Sequence, residues 1–292
     1  MIKLAIIVSV LLRVTLAADP LRVYKGKPDS ENEFPFIVLF YLKIIPQFTF
    51  RTCTGSLIAE NWVLTAAHCL IKDFKLAVRY GDFTLPPTET SLISDIIETF
   101  APPTSNLPAS VGEEWEMVPR DDIGLVLVEK IPKKHANILA LDYKTLFGLP
   151  VKFAGFGRTS GTISEKFSLN KTVQLAGKPL QIGEGIVVPC YNFENIGPVV
   201  CVAAKCSNKK QMTLPGDSGG PLVLNGSIIG VTKGGATQHV SLSGAFTPVN
   251  IYLQWIKEVM NNNDHNEARR SRVRMPTRTT RFLGTYVPNV LG

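Results

Sequence analysis

The sequence lacks a long uninterrupted apolar run, which argues against a membrane-spanning helix. A spanning helix needs about 20 apolar residues, whereas the run Leu4–Leu12 is much shorter and is followed by Arg13. Histidine is also scarce, because the chain has only four, scattered, and no Cys/His cluster has zinc spacing. We therefore expect no membrane span and no metal, and no motif indicates a cofactor.

Excess charge is lacking in the body of the protein, although the whole chain has a net charge of +7. Residues 1–17 contribute +2 and residues 262–292 contribute +4, which leaves only +1 for residues 18–261. A nucleic-acid-binding domain carries a basic surface, so we expect no nucleic-acid partner. The six arginines of residues 262–292 form a basic tail that is either solvated or binds polyanions.

The amino terminus has the pattern of a secretory signal peptide. Lys3 supplies the positive region, and the apolar run after it ends shortly before two alanines. We therefore expect residues 1–17 to be removed and the protein to be secreted to the extracellular space, where disulfides persist. There the sequons at Asn170 and Asn225 are candidate glycosylation sites.

Short segments rich in β-branched and aromatic residues, separated by frequent turn signals, predict an all-β sandwich or barrel. The Asn225-Gly226 pair predicts a tight hairpin turn, because both residues tolerate a positive φ. Apolar spacing indicates one late helix from Asn250 to about Asn261. Residues 262–292 show no convincing period and are expected to be a disordered tail. The predicted strands cover residues 36–42, 76–80, 123–128, 151–156 and 198–202.

His68, Asp122 and Ser218 lie in the strings Thr-Ala-Ala-His-Cys, Asp-Asp-Ile-Gly-Leu and Gly-Asp-Ser-Gly-Gly-Pro. A serine hydroxyl is a poor nucleophile until a base takes its proton, and histidine suits that role because its ordinary pKa is about 6.5. A carboxylate on the other ring nitrogen fixes the tautomer and stabilises the imidazolium. The nearby glycines let the amides of Gly216 and Ser218 point at one developing oxyanion.

On these strings the chain resembles the trypsin/chymotrypsin family of serine proteases, from about Val23 to Met260. The resemblance implies an all-β fold of two six-stranded antiparallel β-barrels with the active site between them, followed by a C-terminal α-helix. It implies a serine endopeptidase domain at residues 23–261, with the histidine as general base and the serine as nucleophile. Asp122 is preferred to Asp121, a solvated neighbour, because it aligns with the family pattern Asp-Ile-Ala-Leu.

The resemblance also implies a zymogen. In the family, cleavage after a basic residue frees an Ile or Val amino terminus, which inserts and pairs with the aspartate preceding the serine. Here Arg22 and Val23 flank the expected cleavage site, Asp217 is that aspartate, and residues 18–22 form a short propeptide. Because a buried ammonium needs a buried anion, the new ion pair is expected to order the oxyanion loop.

Two disulfides are implied by the resemblance, one between Cys53 and Cys69 and one between Cys190 and Cys201. The first closes the loop that leads to the histidine, and a loop of that length stabilises the fold by about 3 kcal/mol in the chain-entropy model. Cys206 is left over: it is free, pairs between molecules, or competes with Cys201 for Cys190.

The specificity pocket of the family has its floor six residues before the nucleophile, and here Met212 occupies that position, followed by Thr213. An apolar floor cannot pair with a buried Lys or Arg side chain, so the resemblance implies cleavage after apolar residues and activation by another protease. Gly235 and Gly244 fall on the pocket walls, and Lys233 falls in the segment that lines the substrate.

Lys233 and Gly234 replace a Ser-Trp pair of the family, and this departure leaves two functions open. The first is a secreted serine endopeptidase whose partners are protein or peptide substrates, an activating protease and protease inhibitors. The second is a weakly active or non-catalytic homologue that binds partners in a proteolytic cascade. The intact triad favours the first, because a binding protein has no physical need for all three groups.

Overall fold

The computed structural model is dominated by β-strands. It describes residues 23, 26–45, 48–70, 75–83, 92–105, 120–157, 180–191, 197–205, 211–233 and 242–273, with backbone alone at 41–52, 75 and 264–273. Predictions made for residues 1–22, Asn170, Cys206, Gly234 and Gly235 lie outside these ranges. The described strands are β1 Lys27–Pro28, β2 Ile37–Ile45, β3 Phe48–Ala59, β4 Trp62–Thr65, β5 Lys75–Tyr80, β6 Leu92–Phe100, β7 Gly124–Val128, β8 Asn137–Ile138, β9 Pro150–Gly155, β10 Gln181–Val188, β11 Val200–Ala204, β12 Pro221–Leu224, β13 Ser227–Lys233 and β14 Leu242–Pro248.

Six strands close into a first barrel in the order β2-β3-β4-β7-β6-β5, with antiparallel pairing throughout. Strands β4 and β7 are rich in Val and Leu and are buried at every position. Burial on both faces arises because one core cluster joins this barrel to residues of the second half of the chain, including Phe156, Ile228 and Ile256. The first barrel is therefore packed directly against the second half of the chain.

A second ring of six strands runs β9-β10-β11-β14-β13-β12 and closes through the pairing of β12 with β9. The short strands β1 and β8 add to its outside, on β10 and β13. Phe153 and Phe246 meet in its core with ring centroids 5.8 Å apart. Asn225 and Gly226 form the predicted hairpin turn, with φ of 49° and 78°. The predicted fold of two six-stranded antiparallel barrels is confirmed.

The C-terminal helix anchors the end of the chain to the first barrel. It begins with a 3-10 turn at Asn250–Tyr252 and continues as α1, Leu253–Val273. Tyr252 and Ile256 are buried in the first barrel's core cluster, and Trp255 packs against it. Within the described residues, no helix has the length and apolar character needed to cross a membrane.

Helix α1 extends well past Asn261, where the sequence pattern predicted its end, so that boundary was wrong. The apolar period stops there, where Asn261 and Asn262 are exposed, but the helical backbone does not need the period to continue. No glycine or proline occurs between Asn261 and Pro276, and Ala, Glu and Arg in the added segment favour a helix. Residues 274–292 of the predicted basic tail lie outside the described ranges.

Candidate active site

His68 lies in a 3-10 turn, Ala67–Cys69, directly after strand β4. The turn is anchored on the side of β3, because Cys69 forms a disulfide with Cys53. A ring nitrogen of His68 and the two cysteine sulfurs lie within 4.8 Å of one another. Since both sulfurs are used in the disulfide, this cluster fixes the histidine in place rather than forming a metal centre.

Asp122 is held against the imidazole of His68. Asp122 lies two residues before the start of β7, and His68 lies three residues after the end of β4. Because Gly124 of β7 pairs with Thr65 of β4, the two side chains lie near the same edge of this strand pair. Nδ1 of His68 lies 2.8 Å from one carboxylate oxygen and 3.0 Å from the other. The backbone amide of His68 also donates to Asp122, at 3.0 Å. The aspartate is fully buried, so this geometry fixes the orientation of the ring.

The electrostatics of the site favour the protonated form of His68. Burial lowers the pKa of this imidazole, but the charge of Asp122 and its hydrogen bond to the ring together raise it by more. The net pKa is therefore above the ordinary value of 6.5, while the charge of Lys233 acts in the opposite direction. With the Nδ1 proton directed at Asp122, Nε2 is the nitrogen that can accept a proton.

Ser218 lies in the turn before β12, next to the His68 segment. Its carbonyl accepts a hydrogen bond from the backbone amide of Thr54 at 2.8 Å. Gly219, with φ of 80°, packs so closely on Thr65 and Ala66 that a Cβ there would overlap the Thr65 hydroxyl. The serine is therefore brought to the side of the first barrel that carries His68 and Asp122.

Thr54 supports the loop that contains Gly216 and was not identified from the sequence. Its hydroxyl donates to the carbonyl of Gly216 at 2.9 Å and accepts from the amide of Phe156 at 3.2 Å. Gly216 itself has φ of 102°, a conformation that favours glycine. The predicted oxyanion loop is thus held from the first barrel by a residue 162 positions earlier in the chain, and no local pattern reveals such a contact.

We expect Thr54→Val to lower the free energy of unfolding by about 1–3 kcal/mol, because the amide and the carbonyl that it bridges lose that partner. Valine has nearly the same volume, so the packing of the site is retained. Urea denaturation measures the change. Thr145→Val is the matched control: this exposed hydroxyl donates to the carbonyl of Asp142, and its loss should cost about 0.5 kcal/mol or less. Equal effects would contradict the role of Thr54.

Asp217 is buried next to the candidate nucleophile. One carboxylate oxygen accepts from the amide of Gly157 at 2.6 Å, and the other accepts from the amide of Leu214 at 2.8 Å. Gly155 and Gly157 leave room for it, because a Cβ on either would overlap the carboxylate. Val23 is fully buried in the core of the second barrel, and its φ of 46° is unusual for a β-branched residue.

Of the residues expected in the specificity pocket, the structure describes Met212, Thr213, Lys233 and Gly244. Met212 is half-buried and Thr213 is buried. The amide of Thr213 donates to the carbonyl of Ser243 at 2.8 Å, and a Cβ on Gly244 would lie 3.2 Å from the methyl group of Thr213. Thr213 and Gly244 are therefore neighbours.

Lys233 ends strand β13 and is 1% exposed. Its Nζ donates to the carbonyl of Arg120 at 2.9 Å, so the amine lies against the segment that carries the aspartates. Burial lowers the pKa of Lys233 to about 8, although the charges of Asp122 and Asp121 act to raise it. Asp121 is not a purely solvated neighbour, because it accepts a hydrogen bond from the hydroxyl of Tyr252 at 2.6 Å.

The remaining predicted positions lie away from this cluster. Cys190 and Cys201 form a disulfide that joins the segment after β10 to strand β11. Asn225 is exposed at the tip of its hairpin, where a glycan would meet no packed surface. The other sequon and the fifth cysteine are outside the described residues.

Comparisons with known proteins bear on the family and the fold of the chain. The trypsin family model matches residues 23–256. The chain is 30% identical to renal glandular kallikrein of Mastomys natalensis, over 85% of this chain and 94% of that protein. It is 29% identical to kallikrein-8 of Homo sapiens, over 71% of this chain and 76% of the relative. The structure of neuropsin, a serine protease expressed in the limbic system of mouse brain, matches with a TM-score of 0.61 at 22% identity, over 81% of this chain and 99% of that one.

Proposed function

The chain belongs to the trypsin family of serine endopeptidases, and we propose that it hydrolyses peptide bonds through Ser218, His68 and Asp122. Nε2 of His68 takes the proton of the Ser218 hydroxyl as the oxygen attacks the scissile carbonyl. The imidazolium that forms is stabilised by Asp122, which is already in contact with Nδ1. This contact between a buried carboxylate and the ring is the observation that carries the proposal.

The backbone amides of Gly216 and Ser218 are proposed to stabilise the negative charge that develops on the substrate oxygen. Backbone amides that are already oriented stabilise an oxyanion without reorganisation during the reaction. The contacts of Thr54 with this loop support that assignment. Collapse of the tetrahedral intermediate expels the amine, which takes a proton from His68 and leaves an acyl-enzyme. Water then attacks the acyl group by the same route in reverse.

A fluorophosphonate probe tests this function, because it labels a serine only when a neighbouring base activates the hydroxyl. The expected result is stoichiometric labelling of Ser218 in the processed protein. If processed, folded protein remains unlabelled, the proposed activity fails and the chain is instead a non-catalytic homologue that binds other proteins.

We propose that the protein is made as a zymogen and activated by cleavage between Arg22 and Val23. The new ammonium on Val23 then pairs with Asp217. Two observations support this: Asp217 is buried, and Val23 already lies in the core of the second barrel. In the uncut chain, a left-handed β-branched residue costs about 1–2 kcal/mol, and cleavage removes the constraint that holds it there.

Amino-terminal sequencing of secreted, active protein should give Val-Tyr-Lys-Gly as the first residues. Arg22→Gln should leave the chain uncut and inactive, because the activating protease needs the basic side chain. Lys25→Gln is the matched control and should still be cut, since it removes a nearby positive charge and leaves the cleavage site intact. An active protein that starts at Ala18 or Asp19 would refute the zymogen.

We propose a preference for apolar residues on the amino-terminal side of the cleaved bond. Met212 and Thr213 offer no carboxylate to a substrate Lys or Arg side chain. Desolvating such a cation without a partner costs several kcal/mol. Gly244 supports a pocket with space for a large side chain, because it presents no side chain beside Thr213.

Peptide anilides that differ only at this residue measure the preference. We expect kcat/KM for Phe or Leu to exceed that for Arg by at least about 100-fold, from the cost of burying an unpaired cation. Met212→Asp should narrow or reverse this ratio, because it supplies the missing anion. Faster cleavage of the Arg substrate by the unsubstituted enzyme would refute the apolar preference.

Secretion and glycosylation complete the proposal. The signal-peptide pattern supports an extracellular location, and the two disulfides are consistent with an oxidising compartment. Asn225 is exposed on a hairpin tip and is therefore accessible to glycosylation. We propose protein substrates, an activating protease and protease inhibitors as partners, and polyanions as partners of the basic tail.

A further inference from the structure

Lys233 is a full-length basic side chain in the interior of the protein, beside the proposed triad. It is among the largest fully buried side chains of the described chain, and it ends β13 opposite Ala245 of β14. Lysine is almost never fully buried unless it is paired. Its burial therefore requires a specific set of neighbours.

The polar neighbours that the structure describes for this amine include one short segment that ends at the proposed triad. The Nζ atom donates to the carbonyl of Arg120 at 2.9 Å, and the carboxylates of Asp121 and Asp122 both act electrostatically on the amine. Asp122 is fully buried and bonded to His68. Among the described residues, the other charged or titratable groups that act here include His68, Tyr252, which donates to Asp121, and Arg120, whose charge acts on Tyr252.

We propose that Lys233 is a positioning residue for peptide hydrolysis: its buried ammonium anchors the segment that carries Asp122 and, as a third charge beside the Asp122–His68 pair, extends catalysis to lower pH. The proposal rests on the function proposed above, because it assigns a role within the same triad. Its anchoring part is carried by the hydrogen bond to Arg120, two residues before the aspartate.

The electrostatic part of the proposal depends on the opposite effects that the charges of Asp122 and Lys233 have on His68. The charge of Asp122 stabilises the imidazolium, whereas the charge of Lys233 acts against it. The charge of Lys233 accordingly lowers the pKa of His68, so more of the histidine is neutral and able to act as a base below neutral pH. Because the pKa of Lys233 is about 8, the ammonium is present throughout the acidic range in which this matters.

The direct test measures the titration of His68 by NMR in full-length Ser218→Ala protein with labelled histidines, where the signal is identified by its loss in His68→Gln. Lys233→Met retains most of the volume and removes the charge, and Lys233→Ser removes both. Each should raise the pKa of His68. Lys144→Met, at an exposed position, is the matched control and should leave it unchanged. An unchanged or lowered pKa in the Lys233 variants overturns the proposal.

Kinetics give a second readout that a purely structural role would not produce. In processed enzyme, Lys233→Met should move the acidic limb of kcat/KM to higher pH, so that the loss relative to the unsubstituted enzyme is larger at pH 6 than at pH 8. A loss of equal size at both pH values overturns the electrostatic role. If Ser218 proves unreactive while the His68 titration still shifts, the activity fails and the coupling of the two charges stands.

The proposal can also be tested if the Lys233 variants fail to fold. In Ser218→Ala protein with Lys233 intact, the ring signals of His68 should show a second, smaller step near pH 8, as Lys233 loses its proton. A titration with no second step anywhere between pH 7 and the ordinary lysine pKa of about 10.4 overturns the proposal without any substitution at Lys233.

Discussion

Ser218→Ala is expected to lower kcat by about six orders of magnitude, because the hydroxyl that forms the covalent intermediate is gone and only binding and oxyanion stabilisation remain. The substitution removes one oxygen at a half-buried position. The backbone hydrogen bond from Thr54 to the carbonyl of this residue does not depend on the side chain. The loss should therefore appear in turnover while the fold is retained.

Single-turnover kinetics on a fast apolar ester and loss of fluorophosphonate labelling measure this effect. Ser94→Ala is the matched control, since its buried hydroxyl donates to the carbonyl of Glu129 in the first barrel, away from the proposed triad. It should cost about 1 kcal/mol of stability and leave labelling intact. Activity that survives in Ser218→Ala would place the nucleophile elsewhere.

Asp122→Asn is expected to lower kcat about 10⁴-fold, because a neutral amide no longer holds the tautomer with Nδ1 protonated or stabilises the imidazolium. The substitution also changes the pH profile. Since Asp122 raises the pKa of His68, its replacement lowers that pKa. Activity is lost as pH falls through the pKa of the histidine, so the residual activity of the variant should persist to lower pH than that of the unsubstituted enzyme.

Asp121→Asn provides a control at the adjacent position. Asp121 accepts from Tyr252 and does not contact the ring in the described hydrogen bonds, whereas Asp122 contacts both Nδ1 and the amide of His68. We expect Asp121→Asn to reduce kcat less than about tenfold, a loss of at most about 1.4 kcal/mol in transition-state binding. If the two substitutions had equal effects, the assignment of the orienting carboxylate would be wrong.

Local sequence patterns were sufficient to predict an all-β fold, whereas the arrangement in two six-stranded barrels was implied by the resemblance to the trypsin/chymotrypsin family. The strands around residues 37–42, 124–128 and 151–155 are dense in β-branched residues, and the hairpin at Asn225 has a turn pair that requires positive φ. Such signals depend on neighbours along the chain. The same is true of the strings around His68 and Ser218, whose close spacing of chemical groups made the candidate site recognisable.

Contacts between distant parts of the chain could not be predicted in this way. Thr54 reaches Gly216 across 162 positions, and Lys233 reaches Arg120 across 113. Nothing beside Thr54 or Lys233 in sequence indicates these partners. The sequence predicts that Lys233 lies among the residues that line the substrate. It does not predict the contact with Arg120, because the direction of the side chain depends on how β13 packs against the segment before β7.

The end of the C-terminal helix shows the opposite limitation. The apolar spacing stops near Asn261, where the side chains become exposed, and the pattern therefore predicts that the helix ends there. Backbone hydrogen bonds and residues with good helix propensity continue it to Val273. A hydrophobic pattern reports where a helix is buried, and it does not report where the helix stops.

The backbone hydrogen bond from Thr54 to Ser218 ties the proposed nucleophile, which precedes a strand of the second barrel, to a strand of the first barrel. Neither barrel carries all three residues of the proposed triad: the first supplies the proposed base and its carboxylate, and the second supplies the proposed nucleophile. A molecule in which either barrel has unfolded should therefore retain no proteolytic activity. Heat, acid or partial digestion should accordingly switch this protein off in one step, and should not release a fragment that continues to degrade its surroundings.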